Sequence, residues 1–182
     1  MLCVGLNPKR KPDMLNPNAP LQRLMDAPMR PGTIQWIGLR PKRHAPVLSC
    51  THAMLDPVQG LIGDHYSNKT TGARHVTLIE AEQLAAMASY LGLDAVAPQD
   101  VRRNIVVSGL NLLALKHKRF RLGTAVLEMT GECHPCSRME ATFGSGGYNA
   151  MRGRGGITAR VLQGGEINLR DSLIVEQNHA PT

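Results

Sequence analysis

Chemistry concentrates in one stretch of this chain: Thr130-Gly131-Glu132-Cys133-His134-Pro135-Cys136-Ser137-Arg138-Met139-Glu140. It holds two thiols with two residues between them, an imidazole being one of the two, and a carboxylate beside them. A thiolate in such a setting can act as a nucleophile, a redox centre or a soft metal ligand. The flanking sequence says what positions it. Ala125 to Thr130 reads as a strand, with Ala125, Leu127 and Met129 on one face. Ser137 to Phe143 reads as a short helix that stops at Gly144. Pro135 suits a first helical position. Cys136 is therefore expected in the first turn, where free N–H groups and the positive end of the helix dipole favour a thiolate.

Three readings of the cysteines compete. Cys133 and Cys136 have the C-x₂-C spacing of half a structural zinc site, but no second C-x₂-C or H-x₃-H pair follows, and Cys3 and Cys50 stand alone. Cys-His-Pro-Cys at a helix start also suggests dithiol exchange. A thioredoxin-like fold, however, needs a long helix and further strands after the motif, whereas glycine loops follow Gly144 here. Either cysteine can also be a small buried apolar residue. What remains is a soft ligand for a transition metal, or a sulfur carrier, next to an anion-binding rim.

The rim is legible in the charge. The chain of 182 residues carries a formal net charge of +7. From Val101 to Leu127 it holds no acid, while Arg102, Arg103, Lys116, Lys118, Arg119 and Arg121 are all present. Such a block fits an anionic partner or a solvated basic face. Aromatic residues make up only 3%, too few for a base-stacking platform, so nucleic acid ranks behind a small phosphorylated ligand. No window approaches the roughly 18 consecutive apolar residues of a membrane span. The order of apolar and basic residues from Met1 to Lys11 is wrong for a secretory signal, and the cysteines lack a disulfide framework. The expectation is a soluble protein of the reducing cytoplasm.

The remaining elements frame one domain. Residues 1–31 form a proline-rich arm, with a helical turn at Pro20 to Asp26. The domain proper spans 32–176, and 177–182 is a polar tail. Strands are expected at Thr33 to Leu39 (core residues Ile34, Trp36 and Leu39), Pro46 to Met54, His75 to Ile79 and Asn104 to Val107. Arg119 to Thr130 reads as a hairpin, and Ile157 to Leu162 with Ile167 to Val175 as a last hairpin around Gly164-Gly165. Glu80 to Leu91 is the best helix, stopped by Gly92. Short strands between turns predict a mainly β fold: a closed or nearly closed β-barrel with a few short helices.

Several segments together resemble the MOSC family, named for the C-terminal domain of molybdenum cofactor sulfurases, whose relatives include the mitochondrial amidoxime-reducing component. They are Gly60-Leu61-Ile62-Gly63-Asp64-His65, His75 to Glu80, Arg102-Arg103-Asn104-Ile105-Val106-Val107, the cysteine stretch, Gly153 to Val161 and Gly164-Gly165-Glu166-Ile167. The resemblance implies a β-barrel that binds the molybdenum cofactor, with Cys136 rather than Cys133 on the metal. It implies Arg102 and Asn104, with Arg103 between them, at the pterin phosphate, and Ser49 near another contact. Charge and motif proximity add Arg43, His65, Lys69 and Arg138. His134 or Glu132 is the candidate proton relay. Pyridoxal phosphate binding also comes with the family. Leu48 stands where the amidoxime-reducing relatives carry lysine, His134 and Pro135 where they carry serine and arginine, and Arg170 where the family has glycine.

The reading is a molybdenum-dependent oxidoreductase acting on N-hydroxylated small molecules. Without a flavin or iron–sulfur motif of its own, it would draw electrons from a flavin or iron–sulfur donor protein. The alternative is a persulfide or cofactor carrier without turnover.

Overall fold

The structure, a computed structural model, describes residues 19–65 and 72–176. Most of the proline-rich arm, Lys69 and the tail lie outside them. In chain order the elements are α1 (Pro20–Met25), β1 (Gly32–Leu39), β2 (Leu48–Cys50), β3 (His52–Asp56), β4 (Gly60–Leu61), β5 (Val76–Glu80), α2 (Ala81–Leu91) and β6 (Ile105–Ser108). A 3₁₀ turn at Leu112–Leu115 precedes β7 (Arg119–Leu122) and β8 (Ala125–Glu132). Then come α3 (Arg138–Phe143), α4 (Gly147–Met151), β9 (Ile157–Gln163), β10 (Gly165–Asn168) and β11 (Ser172–Val175).

The main sheet runs β11-β7-β8-β9-β5-β6-β1-β2, and β11 also pairs with β1. That pairing closes seven strands into a barrel and leaves β2 outside on β1. A closed ring with an odd number of strands cannot be antiparallel throughout. The one parallel pair is β5–β6, and parallel neighbours need a crossover. Helix α2 supplies it. Its Leu84, Met87 and Ala88 pack with Ile79 of β5 and Val106 of β6 in a second core outside the barrel. Val76, Leu78, Ile105 and Val107 point into the barrel with Phe120, Leu127 and Ile157. Both faces of β5 are thus covered, which is why all five of its residues are buried. Met139 of α3 and Met151 of α4 join the second core, and this anchors the segment following the cysteines.

The mainly β barrel agrees with the sequence reading, as do the β7–β8 hairpin, the inward face of Ala125, Leu127 and Met129, and the Gly92 stop at φ 65°. Four details are corrected. First, the final hairpin does not form. β9 pairs with β8 and β5, whereas β10 pairs with β3 in a second sheet, β10-β3-β4. The Thr124 turn diverts the chain: Thr124 N–H donates to the Glu166 carbonyl, and Glu166 N–H donates to Thr124 Oγ1 at 2.8 Å. Second, the expected strand from Pro46 to Met54 breaks at Thr51, where the chain changes sheet from a β1 partner to a β10 partner. Third, a bulge between Ile34 and Trp36 shifts the inward register of β1. Ile37 joins Ile34 in the barrel core, Leu39 packs half-buried against it as expected, and Trp36 packs against the outer core instead. Fourth, α3 begins at Arg138 after the cap Ser137, so Pro135 and Cys136 precede the helix. Among the described residues no helix is long and apolar enough to cross a membrane.

Candidate functional site at the cysteine loop

The segments leading into β6 and β9 and the segment leaving β8 meet at one side chain, Arg103. It is only 8% exposed. Its Nε donates to the Gly155 carbonyl at 2.7 Å, Nη1 to Val101 at 3.2 Å, and Nη2 to Cys133 at 3.0 Å and His134 at 3.4 Å. Cys133 N–H donates to the Gly156 carbonyl at 2.8 Å. These bonds tie Cys133 and His134 to the segments entering β6 and β9, and residues 133–136 carry no regular secondary structure before α3. The approach requires glycine on the other side: a Cβ at Gly155 would sit 1.9 Å from the Cys133 carbonyl oxygen, and one at Gly156 would sit 1.9 Å from that of Leu78.

The loop separates its two thiols. Cys133 is buried, with Arg74 Nη2 3.7 Å from its sulfur. It faces a narrow pocket of about 10 Å³ lined with Glu80, Glu132 and His134, room for roughly one water. Cys136 is exposed. It opens on a cleft of about 150 Å³ lined by Arg40, Val101, Arg102, Arg103, Pro135, Arg138 and Met139. Four arginines therefore line the cleft on which this thiol opens.

The electrostatics follow from that crowding. Burial, then the neighbouring guanidinium groups of Arg138 and Arg40, pull the Arg102 guanidinium below its ordinary value, while Cys136 and Asp64 pull it back. Arg103 is lowered by burial most of all, with Cys133 and Cys136 opposing. Arginine keeps its proton in proteins, so both side chains stay cationic. Arg102 also holds a left-handed backbone, φ 56°, where a residue with a Cβ is strained.

Of the residues expected at the site, Cys136, Arg102, Arg103 and Arg138 come together at the cleft. Asn104 is adjacent but committed: its amide donates to Gly38 O and Asp64 Oδ1, and its oxygen accepts from Thr77 N–H, Thr77 Oγ1 and Arg40. His65 sits behind Asp64, Nδ1 to Oδ2 3.9 Å. Ser49 lies exposed on β2 opposite Gly38, outside the cleft lining. Arg43 is on the exposed turn after β1. His134 lines the narrow pocket, not the cleft. Lys69 lies outside the described residues.

Sequence reading missed Arg40. It follows β1 directly and is clamped by Asp64, with Nε to Oδ1 3.1 Å and Nη2 to Oδ2 3.0 Å. The available signal was Asp64 itself, an acid in a glycine turn that needs a cationic partner when buried.

A family description, "MOSC domain", matches residues 59–174. The chain belongs to the MOSC domain family. The match takes in Asp64, the arginine segment and the cysteine loop. Solved structures agree on the fold. The YuaD protein from Bacillus subtilis is 18% identical, with a TM-score of 0.70 over 82% of this chain and 98% of its own. YiiM from Escherichia coli is 19% identical, with a TM-score of 0.63 over 82% and 72%. YiiM from Geobacillus stearothermophilus is 18% identical, with a TM-score of 0.64 over 80% and 75%. No curated protein matches the sequence. At these identities the likeness concerns the barrel alone. One family departure is visible in the MOSC chain: Arg170, where the resemblance implied glycine, retains a left-handed φ of 72°.

Proposed function

We propose that this MOSC protein binds the molybdenum cofactor and reduces N-hydroxylated compounds with electrons from a separate donor protein. The observation that supports it is the exposed Cys136 thiol in a cleft walled by Arg40, Arg102, Arg103 and Arg138. The donor set fits the group. A thiolate suits a sulfur-loving metal. Among the described residues no three His, Cys, Asp or Glu side chains cluster to hold a bare ion. A metal here would take one sulfur from the chain and its other ligands from a chelating cofactor. The arginines suit a phosphate.

When bound, the cofactor supplies two-electron redox chemistry. The chain's part is to hold it: Cys136 Sγ on the metal, Arg102 and Arg138 on the phosphate, and Arg103 bracing the loop that carries the sulfur. The reaction consumes two electrons and two protons, turning an N–OH group into N–H and water. Proton delivery falls to His134 or Glu132, which line the narrow pocket beside Cys133, or to solvent at the exposed thiol.

The same exposure favours a second reading, a persulfide or cofactor carrier. Protein made in a cofactor-producing host, given a flavin or iron–sulfur donor and an amidoxime, separates the two. Amidine formation at multiple turnovers supports the reductase. Bound molybdenum without product supports the carrier and ends the enzyme reading.

A further inference from the structure

We propose that the β1–β2 turn, Lys42-Arg43-His44, is the docking surface for an acidic electron-carrier protein, which it seats at the mouth of the cysteine cleft. This rests on the reading that electrons reach the cleft from a separate donor, and it names where that donor binds and what charge it carries.

Positive charge is abundant in the chain but is mostly answered within the fold. The basic block around β7 meets acids from distant segments. Lys118 Nζ lies 3.4 Å from Asp26 Oδ1, Arg121 Nη2 lies 3.8 Å from Glu176 Oε1, and Arg119 stands opposite Glu128 on β8. The cleft mouth is different. None of the ion pairs among the described residues involves Lys42, Arg43, Arg102 or Arg138. Asp64 is clamped to Arg40, and its side chain is only 1% exposed. The crowding of like charge registers at the His44 imidazole. Its pKa is held below the ordinary 6.5 by Arg138 first, then by loss of water contact, Arg43, Arg102 and His65.

The turn is fixed to the cleft. Ala45 N–H donates to the Lys42 carbonyl at 3.1 Å and closes it. Arg138 Nη2 donates to His44 Nδ1 at 2.8 Å, and Arg102 Nη1 donates to the Ala45 carbonyl at 3.4 Å. Two arginines that line the cleft with Cys136 therefore hold the turn at its edge, while Lys42 and Arg43 stay exposed. Leu48, 58% exposed, ends the same loop opposite Leu39. Exposed charges next to an exposed apolar side chain are the make-up of a transient protein interface, where complementary charge sets the rate of encounter. Nucleic acid fits less well: the unanswered charge is confined to one turn and the cleft mouth, and aromatic residues that could stack bases make up only 3% of the chain. Each docked carrier is oxidised by one electron. Two dockings and two protons then convert one N–OH group into N–H and water.

The test uses protein from a cofactor-producing host, an amidoxime and reduced flavodoxin, an acidic one-electron carrier, at low salt and at about 0.5 M sodium chloride. Dithionite-reduced methyl viologen serves as a donor that needs no docking. Lys42→Glu is expected to lower kcat/KM for flavodoxin about tenfold at low salt and far less at high salt. Adding Arg43→Glu is expected to deepen the loss to about 100-fold. Turnover with methyl viologen, and molybdenum content, should stay at wild type in Lys42→Glu. Lys116→Glu makes the same change in net charge beside β7 and should leave flavodoxin use unchanged. Wild-type flavodoxin use in the turn variants, an equal loss in Lys116→Glu, or loss of molybdenum from Lys42→Glu overturns the proposal. So does duplex DNA binding that the turn variants abolish while flavodoxin use stays intact. No amidine with either donor removes the reductase reading; calorimetric flavodoxin binding that the turn variants abolish then retains this surface.

Discussion

Cys133 and Cys136 are three positions apart on one loop, yet they belong to different environments. Cys133 is 2% exposed, its backbone N–H tied to Gly156 and its carbonyl to Arg103. It serves the packing between β8 and β9. Cys136 is open to a cleft lined with guanidinium groups. The adjacent arginines repeat the division. Arg103 is buried and spent on carbonyls, while Arg102 is strained, sparsely bonded and turned to the cleft. In both pairs the inner member builds the loop and the outer member is free for chemistry. Residue type is the same within each pair. Burial and hydrogen-bond commitment decide the role.

The division yields predictions of decreasing size. The largest concerns the thiols. Cys136→Ser should cut amidoxime reduction by more than about 100-fold with little change in stability. Cys133→Ala should do the opposite, costing about 1 kcal/mol in urea unfolding while turnover stays near wild type. Equal losses of activity would erase the distinction. Next, Arg103→Ala removes the donor to the carbonyls of Val101, Cys133, His134 and Gly155. It should cost about 3 kcal/mol in urea unfolding, and a cost under about 1 kcal/mol would show that the loop holds itself.

Arg102→Gly sharpens the contrast from the other side. Glycine relieves the left-handed backbone, so stability should rise by about 0.5 kcal/mol while phosphate affinity falls. This is the trade expected where strain is kept for function.

The smallest effect is a control far from the cleft. His75 is buried, and its Nδ1 accepts from Val161 N–H at 3.1 Å. Burial, then Arg160, holds its pKa below the ordinary 6.5. The unfolded chain then binds the proton first as pH falls. The stability from neutral His75 is full above about pH 6.5 and is lost as pH drops from there through the depressed folded value. His75→Gln should flatten that slope, and Cys136→Ser should leave it unchanged.

The barrel was largely legible because its signals are local. Alternation marked β8, a helical period with a terminal glycine marked α2, and turn residues bounded the rest. Strand partnership was not local. Gly164-Gly165 looks like a hairpin turn, and only the bonds from Thr124 to Glu166 reveal that β10 leaves for another sheet. At the site, charge and motif found Cys136, Arg102 and Arg138. They also misplaced Cys136 within a helix, because nothing near Pro135 in sequence announces that Arg103 ties down the Cys133 and His134 carbonyls. Arg40 was invisible for the same reason: its partner Asp64 is 24 residues away.

The central claim is that Cys136 and the surrounding arginines hold an anionic, sulfur-ligated molybdenum cofactor. Molybdenum and pterin should be quantified in wild-type and Cys136→Ser protein purified from the same cofactor-producing host. The account predicts near-stoichiometric amounts of both in the wild type and molybdenum at background in the variant. Equal molybdenum in the two proteins, or none in either, would contradict it.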